Sequence, residues 1–165
     1  MPRRLLGSLA LALGLAGAGG CTGDIDLKQA LVVTDVFSGY YDNGIKDTQI
    51  HLVPSITFRL KNQSAQTVPG IEIDIAFWAE GRDGEMDSVS VRALANGLAA
   101  GASSDSLTVK SKIGFTLAGT RDDFFGHSLF KDVTARMFAK RSGRIFPLGE
   151  FKMERRIIPH AGARP

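Results

Sequence analysis

Leu52-Val-Pro-Ser-Ile-Thr-Phe-Arg-Leu-Lys61 and Ile71-Glu-Ile-Asp-Ile-Ala-Phe-Trp-Ala-Glu80 decide the fold. In the first, Leu52, Pro54, Ile56, Phe58 and Leu60 alternate with more polar positions; in the second, Ile71, Ile73, Ile75, Phe77 and Ala79 do the same. A period of two is the mark of a half-buried strand. Asn62-Gln63-Ser64 breaks the pattern between them, Pro69-Gly70 precedes the second strand, and Gly81-Arg82-Asp83-Gly84 closes it with hairpin chemistry. The pair predicts antiparallel sheet.

Outward from this pair the same period recurs. Upstream, a strand is expected over Ala30–Phe37, with Leu31, Val33 and Phe37 on one face, ended by a turn at Gly39–Gly44 that contains Asn43-Gly44. Downstream, short strands are expected at Ser88–Arg92 and Ser106–Lys110, with Ile113–Leu117 either continuing the latter or beginning the next, then a loop from Ala118 to Leu129. Two later strands are expected at Val133–Lys140 and Phe151–Ile157, with a turn at Arg141–Arg144 and an end at Pro159. About seven strands without a long helical pattern predict an all-β, antiparallel immunoglobulin-like sandwich of the fibronectin-III-like kind. It forms one domain over residues 30–159, with residues 160–165 a disordered tail.

The N-terminus reads differently. Arg3 and Arg4 precede an apolar run from Leu5 to Leu15 and a small-residue exit at Ala16–Gly20. That run is shorter than the roughly 20 residues a membrane span needs, so residues 1–20 are expected to be a signal peptide. Ala18-Gly19-Gly20-Cys21 resembles the lipobox of bacterial lipoproteins, with Ala18 where the family usually carries Leu. The resemblance implies lipidation at Cys21, the single cysteine, with residues 21–29 as a lipidated cysteine and short tether; the alternative is ordinary cleavage after Ala16-Gly17-Ala18, which would release a periplasmic protein with a free thiol at Cys21. Thr22, rather than Asp, follows the cysteine. In such lipoproteins Asp there favours inner-membrane retention, so the expected place is the outer membrane facing the periplasm in a Gram-negative host.

The downstream succession Ile56–Ser64, Val68–Trp78, Gly81–Gly84 and Leu98–Asp105 resembles FxLYD-type and late-embryogenesis-abundant-type sandwich domains. The Leu-Tyr-Asp signature itself is absent, since Phe77 is followed by Trp78-Ala79-Glu80. This resemblance implies a non-catalytic envelope or stress-associated module and offers no catalytic residues.

Charge and chemistry narrow the classes further. The 20 basic and 17 acidic residues include Arg3 and Arg4, so the chain after the leader is close to neutral. With no dense basic run interleaved with aromatics, nucleic acid is not an expected partner. The charges segregate along the chain: Cys21–Val109 holds 6 basic and 12 acidic residues, Lys110–Pro165 holds 12 and 5. Cross-strand complementarity is the expected use of that asymmetry. A sharper expectation is that Lys140, Arg141, Arg144, Arg155 and Arg156 gather at one end to meet anionic headgroups or an acidic partner.

His127 with Asp122, Asp123 and Ser128 lies in one loop, which does not give the convergent geometry of a hydrolytic triad. Asp83, Glu85 and Asp87 alternate around a hairpin but do not match a calcium loop. No enzyme, metal or cofactor is expected. The candidate contact residues are aromatic. Trp78 and Phe138 fall on the polar phase of two strands expected to be neighbours, where they would form an outer-face pair or a docking patch for an envelope protein. Phe124 and Phe125 are expected to cap an open end of the sandwich. The expected function is a membrane-anchored adaptor; the alternative is a lipid or small-molecule carrier with a pocket near Phe115, Phe124 and Phe125.

Overall fold

The computed structural model describes residues 25–160; the expected signal peptide, Cys21 and residues 161–165 of the expected tail lie outside the described residues. Nine strands follow a single helical turn, α1 (Leu27–Ala30): β1 (Leu31–Lys46), β2 (Gln49–Asn62), β3 (Glu72–Ala79), β4 (Asp87–Arg92), β5 (Leu107–Lys110), β6 (Phe115–Leu117), β7 (Val133–Arg141), β8 (Arg144–Lys152) and β9 (Ile157–Ile158). One sheet has the order β5-β2-β1-β9, with β6 also on β2; the other has the order β4-β3-β7-β8. Pairing is antiparallel except for the short parallel contact of β9 with β1. In immunoglobulin lettering β1, β2 and β5 stand as A, B and E, and β3, β7 and β8 as C, F and G. The expected sandwich is present, with two more strands than predicted.

The two strands that decide the fold face each other across the core. Leu52, Ile56, Phe58 and Leu60 of β2, and Ile73, Ile75 and Phe77 of β3, are all fully buried. Each such side chain contributes about 1.5–3 kcal/mol by leaving water. Pro54 is tolerated in this inner strand because of where its missing N–H falls. Its carbonyl accepts from Ser111 N–H at 2.9 Å, so that edge of Pro54 faces the gap between β5 and β6.

β1 departs from expectation. It runs sixteen residues instead of stopping at Phe37, and the expected turn at Gly39–Gly44 lies inside it. Two bulges explain the misreading. Asp35 and Val36 together oppose Phe58, and Asn43 and Gly44 together oppose His51. Asp35 takes φ 52° and Gly44 φ 88°, so the Asn-Gly pair serves a bulge and not a turn. The first bulge also reverses the phase: Leu31 points inward before it, and Ser38, Tyr40 and Asp42 after it. Phe37 therefore faces outward, 44% exposed, with the Arg156 guanidinium 4.7 Å over its ring. The true β1–β2 turn is Asp47-Thr48, both left-handed at φ 49° and 64°, which matches a type I′ hairpin.

The late hairpin differs in a similar way. Ser142-Gly143 turns as expected, but β8 starts at once at Arg144 and ends at Lys152, so the strand expected over Phe151–Ile157 is split. Met153 drops into the core, and the chain crosses to the first sheet to lay β9 beside β1. Gly39 belongs to that crossover: a Cβ there would meet the Arg156 side chain and carbonyl. At the other end, Leu27 is fully buried and Ala30 nearly so, so packed structure begins before Ala30 and the expected tether to Gln29 is shorter.

One polar side chain is fully enclosed. Asn62 Nδ2 donates to the carbonyls of Gln66, Leu98 and Ala99 at 2.7–3.0 Å, while its Oδ1 accepts from Ser64 N and Oγ. It ties the β2–β3 connection to the β4–β5 connection.

Candidate binding surfaces

Trp78 lies on the outer face of β3, opposite Thr134 of β7, and is not buried between the sheets. Phe138 is on the same face but opposes Asp74. Four residues, or about 13 Å, separate their rungs, so they are not the expected cross-strand pair. Arg136 stands between them and stacks its guanidinium 4.5 Å over the Trp78 ring, with Nε 3.0 Å from Glu150 Oε1 at an angle that makes an ion pair without an aligned hydrogen bond. The Trp78 indole Nε1 is covered and has no hydrogen-bond partner among the described residues. Beside it opens a shallow cleft of about 400 Å³ lined by Trp78, Glu80, Asp132, Thr134, Arg136 and Lys152.

Asp132 organises the rim of that cleft. Arg155 donates to both of its carboxylate oxygens at 2.9 Å, and Lys152 Nζ approaches to 3.5 Å. The Arg155 hydrogen bonds, opposed by burial and aided by both positive charges, hold the Asp132 carboxyl below the ordinary carboxylate range. Sequence patterning singled out neither Asp132 nor Arg136. The only available signal was that Arg136 occupies the polar phase of the strand that follows Asp132.

Phe124 and Phe125 sit on a 3₁₀ turn and close the end of the sandwich as expected. Their rings interlock with Tyr40, Phe115 and Phe130 at centroid separations of 5.1–6.3 Å. Tyr40, Phe124 and Phe130 are 0%, 2% and 6% exposed, so the rings fill this end. The Tyr40 hydroxyl, deep in the cluster, has no aligned hydrogen-bond partner among the described residues; burial, with the nearby Asp132 charge, outweighs the approach of the Val133 backbone and pushes it well above the ordinary tyrosine value.

The five basic residues expected at one end are divided between two. Arg155 pairs with Asp132 at the start of β7, and Arg156 with Glu154. Lys140, Arg141 and Arg144 lie at the far end of the β7–β8 hairpin, about 26 Å away along the strand. Lys140 pairs with Asp74, and Arg121 with Asp42, so basic groups of the second half do meet acidic groups of the first. The far end also holds a residue not anticipated, Arg92 of β4, which with Gly70, Glu72, Leu94, Lys140 and Arg141 lines a second cleft of about 380 Å³.

The remaining polar candidates have structural roles. Asp87 Oδ2 accepts from Ser111 Oγ and from the Lys112 amide, fastening β4 to the β5–β6 connection. His127 Nδ1 accepts from the Leu129 amide, and His51 bonds Thr116. No group of three or more His, Cys, Asp or Glu side chains able to hold a metal occurs among the described residues. No protein-family model matches the chain, and no curated protein matches it.

Proposed function

We propose that this chain is a lipid-anchored envelope protein whose sandwich acts by binding, as an adaptor that presents the Trp78 cleft to a protein partner. The observation that carries the adaptor reading is the cleft itself. An indole with an unmet N–H stands on an outer sheet face, framed by charges of both signs, and tryptophan and arginine are the residues enriched at interface hot spots. The leader-like N-terminus and the lipobox-like Ala18–Cys21 support the anchor. Between Cys21 and Leu27, the first fully buried residue, lie five residues, a reach of at most about 18 Å.

The carrier alternative requires an apolar cavity of at least about 300 Å³ among Phe115, Phe124 and Phe125. Those rings are packed against one another, which favours the adaptor.

Two measurements test the reading. Replacing Cys21 by Ser should leave the protein unprocessed or release it from membranes; a processed Ser variant that still fractionates with membranes would remove the anchor. A photo-crosslinker at position 78 of the anchored protein should capture protein, whereas lipid captured at position 125 with no protein at 78 would favour the carrier.

A further inference from the structure

The cleft at the tether end differs from the rest of the charged surface. Elsewhere the cations near carboxylates are paired, Arg121 with Asp42, Arg155 with Asp132 and Arg156 with Glu154, and within the cleft Lys140 is held by Asp74. Arg92 and Arg141 line the cleft and neither makes an ion pair among the described residues. Nη1 of Arg141 is buried and has no hydrogen-bond partner among the described residues. A covered guanidinium N–H without an acceptor is unfavourable, and an anion is the acceptor that best suits its fork. Glu72 stands between Arg92 and Lys140 in register, so the site is tempered and not a bare basic patch.

Position adds a second argument. β2 ends and β3 begins at this end, as does the β7–β8 turn, and α1, the first packed element, enters here beside the start of β1. Ile145 pairs with Lys140 and is 60% exposed, an apolar side chain set directly beside the basic groups. A soluble anion has no use for Ile145, whereas a bilayer surface takes both its apolar side chain and the cations.

We propose that the cleft lined by Arg92 and Arg141 binds the phosphate of an anionic membrane lipid, with Ile145 entering the headgroup layer beside it. This rests on the membrane-anchored reading above, and the test separates the two because every chain used carries Cys21→Ser and cannot be acylated.

Full-length chains are floated with vesicles of phosphatidylcholine alone or with one third phosphatidylglycerol, and the gain in binding due to phosphatidylglycerol is measured. Any contribution of the leader is common to all the chains. Arg92→Gln with Arg141→Gln should reduce the gain about twenty- to thirtyfold, from the usual worth of two cations at an anionic surface. Ile145→Ser should reduce it several-fold. Lys46→Gln with Lys131→Gln, away from the cleft, should leave it unchanged, and thermal melts establish that each variant is folded. Millimolar inorganic phosphate should not abolish the gain.

An unchanged gain in the arginine variant would overturn the proposal, as would an equal loss in the lysine control, which would mean diffuse attraction. Competition by inorganic phosphate together with an unaffected Ile145→Ser variant would overturn the lipid assignment in favour of a soluble phosphate. Failure of Cys21 acylation in cells, with the vesicle result intact, would remove the anchor and leave the cleft.

Discussion

Replacing Asn62 by Ala should cost about 2–4 kcal/mol, although Asn62 touches no candidate surface. The side chain is 0% exposed and makes five polar contacts: three carbonyls receive from Nδ2 and two Ser64 groups donate to Oδ1. Not all five are lost in full. Leu98 O still accepts from Val68 N–H at 2.9 Å... and the Gln66 and Ser64 groups lie near enough to the surface to find water. At a net 0.5–1.5 kcal/mol per hydrogen bond, the equivalent of about three bonds gives the stated range. For a domain of this size that lowers the melting temperature by roughly 8–15 °C. Urea unfolding followed by the fluorescence of Trp78, the single tryptophan, reads the change directly. Asn62→Asp should be at least as damaging, because it keeps the acceptor for Ser64 but turns a carboxylate toward three carbonyl oxygens. The exposed neighbour supplies the control, since Gln63→Ala should stay within about 1 kcal/mol. If Asn62→Ala matched Gln63→Ala, the two connections would not be held by this side chain and the reasoning would fail.

Gly114→Ala should destabilise by about 3 kcal/mol or more, since its Cβ would overlap the Leu52 carbonyl and Val53 side chain; a melt unchanged from the parent would refute the close approach. Tyr40→Phe should be neutral or stabilising by up to about 1 kcal/mol in urea unfolding, because it removes a buried hydroxyl without an aligned partner; a loss above 1 kcal/mol would mean that the hydroxyl is bonded. Burial alone would raise the Asp42 carboxyl, but hydrogen bonds from Arg121 and the Gly44 amide outweigh it and hold Asp42 below the ordinary value. A lowered folded-state pKa gives stability that is present above the unfolded value of about 4 and is lost as pH falls through the folded one. Arg121→Ala should therefore raise the Asp42 titration midpoint seen by NMR and move acid unfolding to higher pH; unchanged midpoints would refute the pairing.

The sequence discloses the strands whose alternation is unbroken and conceals the places where geometry interrupts it. β2, β3 and β7 each keep one buried phase over their whole length, and each was legible. β1 was truncated because a bulge carries no composition signal of its own: Asp35-Val36 reads as strand, and Asn43-Gly44 reads as a turn. The same holds for β8, where Pro147 and a bulge between Met137 and Phe138 hide a strand paired along its length. At the surface, periodicity placed Trp78 and Phe138 on the right face but carried no register, and register decides whether two residues four rungs apart meet.

Register also determines how the charged groups are used. Linear sequence groups Lys140, Arg141 and Arg144 with Arg155 and Arg156, whereas the hairpin carries the chain back along β8 and sends the last two to the opposite end. There Arg155 is held by Asp132, which leaves it little to offer an outside anion. At the other end Arg92, some fifty residues earlier in the chain, is brought beside Arg141 because β4 and β7 flank β3 on either side. The two ends therefore differ in kind. One has the guanidinium groups of Arg92 and Arg141, which make no ion pair among the described residues, close to where the chain enters the domain; the other has paired charges around an indole. In the lipid-anchored reading proposed above, the five residues between Cys21 and Leu27 reach at most about 18 Å and would hold the second end away from the bilayer, so membrane contact and partner contact need not compete for the same surface.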